Sequence, residues 1–181
     1  MKKALIIGAC GFVGNYLIDH LKSLSDYKIY VTKMAHEKMS YNDIDIYDLN
    51  ILNKSEVELL LKNIKPDYIF HLAAQSSVAL SWKDPALTID VNIKGSVNVL
   101  DAIRSLDYSL KVLMIGSGEE YGRVNADELP ITEANSLRPG NVYAATKVCQ
   151  NMISKIYSDA YNLDLVMVRA FNQIGRKQSD I

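Results

Sequence analysis

Residues 4–14 read Ala4-Leu5-Ile6-Ile7-Gly8-Ala9-Cys10-Gly11-Phe12-Val13-Gly14, and Tyr16, Leu17, Ile18, His20, Leu21 and Leu24 follow at helical spacing. The unbroken apolar run fits a short strand buried on both faces, and the later residues fit an amphipathic helix. Between the two stand three glycines, each three residues from the next. Strand, glycine turn and helix in this order bring backbone N–H groups at a helix N-terminus up to a pyrophosphate, with no Cβ in the way. Glycines also make ordinary turns, so the pattern alone is weak. Its position directly behind a buried strand is what points to a nucleotide.

The same alternation runs through the rest of the chain. Apolar runs predict strands over Lys3–Gly8, Lys28–Lys33, Asp43–Ile46, Asp67–Leu72, Lys111–Ile115 and Asp164–Ala170. Most are continuous rather than alternating, as parallel strands covered on both sides are. Helical stretches fall between them, at about Val13–Ser23, Lys54–Asn63, Pro85–Ser105 and Val142–Tyr161. Pro66 marks the end of the second helix, because the residue before a proline is pushed out of helical geometry. Asp84-Pro85 reads as an N-cap with proline at the first helical position. Right-handed crossovers then give an α/β fold, a doubly wound parallel sheet of Rossmann type in the order 3-2-1-4-5-6.

With 181 residues the chain has room for one sizeable core and forms a single dinucleotide-binding domain over 1–181. Its six strands leave almost nothing to cover a substrate, so the expectation is the front portion of a longer protein with the substrate-binding region largely absent. Composition is that of a soluble domain: 49% hydrophobic, 23% charged, net charge −1. Basic residues are scattered rather than striped, which speaks against nucleic acid. No apolar run approaches a membrane span. Cys10 and Cys149 lack metal or redox spacing and fit a reducing compartment, the cytoplasm.

In such a sheet a ligand binds outside the carboxyl ends of the strands, where three further groups fall. His71-Leu72-Ala73-Ala74 follows the fourth strand, with small residues on which a cofactor can lie flat. His71 itself reads as a core histidine, having no second ligand-type residue beside it. Gly116-Ser117-Gly118-Glu119-Glu120-Tyr121-Gly122 follows the fifth strand; its plain reading is a loop with solvated carboxylates, yet Ser117 stands where a hydroxyl faces the cofactor. Tyr143 and Lys147 are four apart on a helix and share a face. An ammonium beside a phenol lowers the phenol pKa toward working pH, which suits proton transfer in carbonyl–alcohol redox chemistry. A single such pair is often a helix-surface contact; its place downstream of Ser117, in a chain with the glycine turn, gives it weight.

Together these residues resemble the extended short-chain dehydrogenase/reductase family, in the branch that modifies sugar nucleotides. The glycine turn, Asp48-Leu49, His71-Leu72-Ala73-Ala74, the Ser117 loop and the Tyr143/Lys147 pair come in family order over essentially the whole chain. Ile64–Val78, Ser81-Trp82, Gly116–Gly122 and Phe171-Asn172-Gln173-Ile174-Gly175 are most similar to GDP-4-dehydro-6-deoxy-D-mannose reductases, with GDP-mannose 4,6-dehydratases close by. The resemblance implies that Gly8, Gly11, Phe12, Val13 and Gly14 cradle the pyrophosphate and that Asp48 and Leu49 hold the adenine. It implies that Leu72, Ala73 and Ala74 line the nicotinamide-side ribose, with Lys147 on its hydroxyls. Tyr143 is then the general acid, with Lys147 depressing its pKa. Ser117 hydrogen-bonds the sugar carbonyl, Asn172 touches substrate, and Glu119 takes the place of the dehydratase glutamate. The implied substrate is a nucleotide sugar and the implied reaction is reduction of a C4 keto group.

Three features depart from the pattern: Asn141-Val142 stands where Ser-Pro usually precedes the tyrosine, Gly175-Arg176-Lys177 replaces Gly-Pro-Gly, and the family's substrate-binding segments lie beyond position 181. The alternatives are therefore a GDP-mannose 4,6-dehydratase, a related epimerase, or a cofactor-binding module without turnover. At the end of the second strand Tyr30-Val31-Thr32-Lys33-Met34 has no carboxylate before Glu37, and Lys33 offers charge to a 2′-phosphate. NADP is thus expected, with NAD the alternative. The family also commonly dimerises through two helices, implying a homodimer with Val97, Leu100, Ile103, Met152 and Ile156 as interface candidates against the plainer reading of packing on the sheet.

Overall fold

The computed structural model describes residues 1–176 and 178. Six parallel strands form one sheet in the order β3-β2-β1-β4-β5-β6, the doubly wound order expected. They are β1 (Lys2–Ile7), β2 (Tyr27–Lys33), β3 (Asp45–Asp48), β4 (Tyr68–His71), β5 (Lys111–Ile115) and β6 (Asp164–Val168). The α-helices are α1 (Phe12–Ser23), α2 (Lys54–Ile64), α3 (Val78–Lys83), α4 (Pro85–Ile89), α5 (Gly95–Arg104) and α6 (Val142–Tyr161). Strand β1 shows why apolar runs dominate the sequence. Its Leu5 and Ile7 enter a core with α2 and α5, while Ala4 and Ile6 enter a second core with Ile18 and Leu21 of α1. Alternate residues thus feed opposite faces, and both must be apolar.

Three expectations are corrected. The third strand lies two residues later than predicted, because the β2–β3 register pairs Lys33 with Asp48 at the carboxyl end. The single helix expected over Pro85–Ser105 is divided: a π-helical turn, Asp90–Lys94, separates α4 from α5. That turn aims buried Asn92 inward, where its amide nitrogen donates to the Gln75 carbonyl and the Thr146 hydroxyl at 3.0 and 2.9 Å. Side-chain bonds of this kind are what a widened turn satisfies, and such turns gather near functional sites. Finally, Leu100 and Ile103 lie in the chain's own core and are unavailable to a partner, whereas Met152 and Ile156 are exposed. Among the described residues no helix is long and apolar enough to cross a membrane.

Candidate active site

The carboxyl edge of the sheet gathers every expected group. At its centre Gly8 has a positive φ of 86°, and a Cβ there would lie 2.5 Å from the Ala73 Cα. Gly14 packs against the Ala9 backbone, leaving no room for a side chain, whereas a Cβ on Gly11 would meet nothing nearer than 3.9 Å. The first glycine makes the turn, the third lets helix and turn pack, and the second faces open space where a backbone can approach a ligand. Helix α1 has no side-chain cap and no acidic residue in its first turn. By contrast, Asn53, Ser77, Asp84 and Asn141 cap α2, α3, α4 and α6 with their side chains. The first-turn N–H groups of Phe12, Val13 and Gly14 are therefore left for an anion. The residues fit a dinucleotide pyrophosphate.

Around this turn, Leu72 and Ala73 both donate their N–H to the Ile7 carbonyl, at 2.9 and 2.8 Å, which draws the residues after β4 beside it. Ala74 is half-buried next to them. At the β2–β3 end, Lys33 forms an ion pair with Asp48. Leu49 turns its side chain, only 5% exposed, into the α2-side core, and its N–H donates to the Lys33 carbonyl at 2.9 Å. The apolar core claims it, leaving Asp48 to offer a side chain to an adenine. Glu37, beyond the strand, turns back so that its carboxylate accepts from the Met34 N–H at 2.7 Å. Burial and then the Glu37 charge raise the Cys10 thiol pKa, so this carboxylate reaches the glycine turn itself.

On the far side of β4 the Ser117 loop is pinned to β6. Gly116 N–H donates to the Val168 carbonyl and Gly118 N–H to the Ala170 carbonyl, both at 2.7 Å. Ser117 is buried, its hydroxyl accepts from the Glu119 N–H at 3.2 Å, and it acts to lower the pKa of the neighbouring Tyr143 phenol. Glu119 is exposed at the loop surface, its carboxylate accepting from the Asn141 amide at 3.1 Å. Asn141 also caps α6 by accepting from the Ala144 N–H at 2.8 Å. The residue that departs from the usual Ser-Pro pattern thus starts the helix and steers the glutamate. Asn172 is exposed next to Phe171, whose ring packs over Gly118 and stacks with Tyr121 at 6.2 Å.

The relation between Tyr143 and Lys147 corrects the expectation most. Both are buried, but the Lys147 ammonium donates to the Ile115 carbonyl at 2.8 Å and to Gln150 Oε1 at 3.0 Å. The phenol pKa is raised, not lowered: burial dominates, Ser117 opposes it, and the Glu120 and Glu119 charges add to it. Burial pushes Lys147 down to about 8, with Glu120 pulling the other way. His71 lies in the core as expected, Nε2 at 3.1 Å from the Ser96 hydroxyl. Ser96 donates to the Asn92 carbonyl, so His71 Nε2–H donates to Ser96. Burial and the Lys147 charge hold His71 down to about 3.

Residues missed from the sequence are Glu120, Asn151, Gln150 and Arg169, which surround the Ser117–Lys147 corner. Ser117 and Glu120 form a reciprocal capping box, for which the Ser-x-x-Glu spacing is the available signal.

A glycine cradle at an uncapped helix start, joined to a buried Ser-Tyr-Lys corner, defines a Rossmann-type dinucleotide site equipped for proton transfer. The chain belongs to the NAD dependent epimerase/dehydratase family, whose model matches residues 4–180. It is 28% identical to the GDP-6-deoxy-D-mannose reductase of Pseudomonas aeruginosa, over 99% of this chain and 55% of that one. Its fold matches the UDP-glucose 4-epimerase of Thermus thermophilus in complex with NAD at a TM-score of 0.90 and 28% identity, covering 98% of this chain and 57% of the other. It matches RMD from Pseudomonas aeruginosa complexed with NADPH at 0.82 and 28% identity, covering 99% and 57%. The chain spans about half the length of the curated relatives it matches.

Proposed function

We propose that this chain serves the reduction of the C4 keto group of a nucleotide-activated 4-keto-6-deoxy sugar, of the GDP-4-dehydro-6-deoxy-D-mannose type. The observation that carries this reading is the buried Tyr143 phenol, which shares the carboxyl edge of the sheet with the buried Ser117 and Lys147 and with the glycine cradle and is protonated at neutral pH like any phenol. When bound, a reduced nicotinamide supplies the hydride that the C4 carbon takes. Ser117 donates a hydrogen bond to the carbonyl oxygen, Tyr143 gives its proton to the developing alkoxide, and the product is the C4 alcohol. Gly8, Gly11, Phe12, Val13 and Gly14 hold the pyrophosphate, with Leu72, Ala73, Ala74 and Lys147 at the nicotinamide-side ribose. Glu119 and Asn172 face the sugar.

Gly118 speaks against a nucleotide-glucose dehydratase: it occupies the position of the second acid, an aspartate, in those enzymes, and a Cβ there would lie 2.8 Å from the Phe171 ring. It leaves a GDP-mannose dehydratase, which lacks that aspartate, to be separated by assay. The test is to follow NADPH oxidation with GDP-4-dehydro-6-deoxy-D-mannose and, separately, the fate of GDP-mannose with NADP. Turnover of the first, lost by about 10²-fold or more in Y143F, supports the reading. Conversion of GDP-mannose alone makes the protein a dehydratase, and tight cofactor binding without either reaction makes it a binding module.

Lys33, the cation at the end of β2, supports NADP as the cofactor. One observation favours NAD instead: Asp48 already pairs with Lys33, while the Glu37 carboxylate reaches the end of β2 and Cys10. Titration with both dinucleotides separates the two readings. NADP is the cofactor if it binds more tightly and K33A removes the advantage; NAD is the cofactor if it binds more tightly and E37Q weakens it. Exposed Met152 and Ile156 on α6 support a homodimer, which light scattering on the parent and an M152E/I156E variant tests.

A further inference from the structure

Glu120 is fully buried, and no step of the proposed reaction uses it. Its Oε1 accepts the Ser117 N–H at 2.8 Å, while Oε2 accepts from Asn151 Nδ2 at 3.2 Å and Arg169 Nε at 3.0 Å. One carboxylate therefore ties the Ser117 loop to α6 and to the end of β6. The chain is shaped to admit it: a Cβ on Gly116 would collide with Glu120 Oε1. Arg169 in turn donates to the Tyr121 hydroxyl at 3.1 Å and the Glu133 carbonyl at 3.3 Å. An ion pair this buried is weak evidence for stability, because apolar side chains of like volume serve as well. Its placement, bonded to the Ser117 N–H and to Asn151 one turn along α6 from Lys147, supplies a different reason for it.

We propose that Glu120 is a positioning residue that fixes Ser117 against the phenol and provides the counter-charge facing Lys147. The inference rests on the proposed roles of Ser117, Tyr143 and Lys147. The Lys147 ammonium donates to the Ile115 carbonyl of β5 and to Gln150 of its own helix, Asn151 one turn on donates to Glu120, and the charges coupled to the ammonium are those of Glu120 in the loop and His71 of β4. Gln150 and the carbonyl are neutral, His71 is held neutral at neutral pH, and Glu119 lies at the exposed surface with Asn141. Glu120 is the carboxylate that raises the Lys147 pKa against burial, so its removal lets the pKa fall. It also raises the Tyr143 pKa, so the same removal makes the phenol a stronger acid and ionises it at lower pH.

The experiment follows the Lys147 titration by NMR of isotope-labelled lysine, assigned with K147A, in the parent, E120Q and E120D. In E120Q the Lys147 midpoint falls from about 8 by about one pH unit or more. The alkaline limb of kcat moves to lower pH with it, and kcat drops roughly tenfold or more while KM changes less. E120D keeps the charge but withdraws it from the Ser117 amide, so its Lys147 midpoint stays near the parent's while kcat still falls. A Lys147 midpoint unmoved in folded E120Q, or moved as far in E120D, overturns the inference. Should E120Q not fold, the apolar E120M takes its place, a lowered Lys147 midpoint supporting the proposal and an unmoved one overturning it. The titration needs no substrate: a shifted midpoint without sugar reduction faults only the reductase reading, and reduction with an unmoved midpoint faults only this one.

Discussion

At the carboxyl edge of the sheet, the turn between β1 and α1 is made of backbone, whereas the corner between β5 and α6 is made of buried charge. The turn works by what is missing: side chains at Gly8 and Gly14, and a cap on α1. All of it lies within a few consecutive residues. The corner works by what converges, since Ser117, Glu120, Lys147, Asn151 and Arg169 come from separate stretches of the chain. Steric emptiness is indifferent to pH and salt, while buried charges depend on every partner staying in place. The two halves of one site should therefore fail in different ways.

The largest effect is expected from breaking the corner's ion pair on one side only. R169M leaves the Glu120 carboxylate buried with the Ser117 and Asn151 donors but without the guanidinium bonded to it, which should lower stability by about 3–5 kcal/mol. The R169M/E120Q double variant, which removes that carboxylate as well, should recover a good part of that loss in the same urea titration. If R169M unfolds within about 1 kcal/mol of the parent, the corner is held by packing and the contrast with the turn collapses.

Next in size is the response to acid. His71 is held neutral at about 3 in the fold against an ordinary 6.5, so the unfolded chain binds a proton first as pH falls. The stability this represents is fully present above about pH 6.5 and is lost progressively down to about 3. At pH 4.5 the loss is on the order of 2–3 kcal/mol relative to pH 7. Urea midpoints of the parent and H71N across this range measure it. The parent should lose more stability than the non-titrating variant, and parallel curves would show that burial of His71 is not what sensitises the corner to acid.

This contrast also explains what the sequence makes legible. The glycine turn, the strand order and the loops after β4 and β5 follow from local rules: apolar runs, glycine spacing and short crossovers. Glu120 carried a local sign as well, the Ser-x-x-Glu of its capping box, but nothing nearby announces Arg169 or Asn151 as its partners. The ammonium at Lys147 illustrates the limit. Helical spacing places it on the face of Tyr143, yet the Ile115 carbonyl and Gln150 take its hydrogen bonds, and burial sets the sign of the phenol shift. Leu49 shows a related limit: beside Asp48 it looks like half of a binding pair, and only the packed core reveals which way its side chain goes. Likewise the π turn depends on Asn92 meeting Thr146, fifty-four residues away in the chain.

The last tests, from an effect of like size down to the smallest, concern the turn, where the two outer roles of glycine can be separated from the middle one. Adding a methyl at Gly14 drives it into backbone: the Ala9 carbonyl carbon and Cα would lie 2.7 Å away, and neither belongs to a side chain able to swing aside. G14A should lower stability by about 2–3 kcal/mol in a urea titration, with no dependence on pH. At Gly11 the added methyl meets nothing closer than the Gly8 carbonyl oxygen at 3.9 Å, and its φ of −65° suits alanine. The stability change should stay at about 0.5–1 kcal/mol, the usual difference between glycine and alanine at an N-cap. Dinucleotide affinity, read by calorimetry, should nevertheless fall by about tenfold or more, because the methyl occupies the space through which the backbone approaches a pyrophosphate. A G11A variant that binds as tightly as the parent would place the phosphates elsewhere, even with its fold intact.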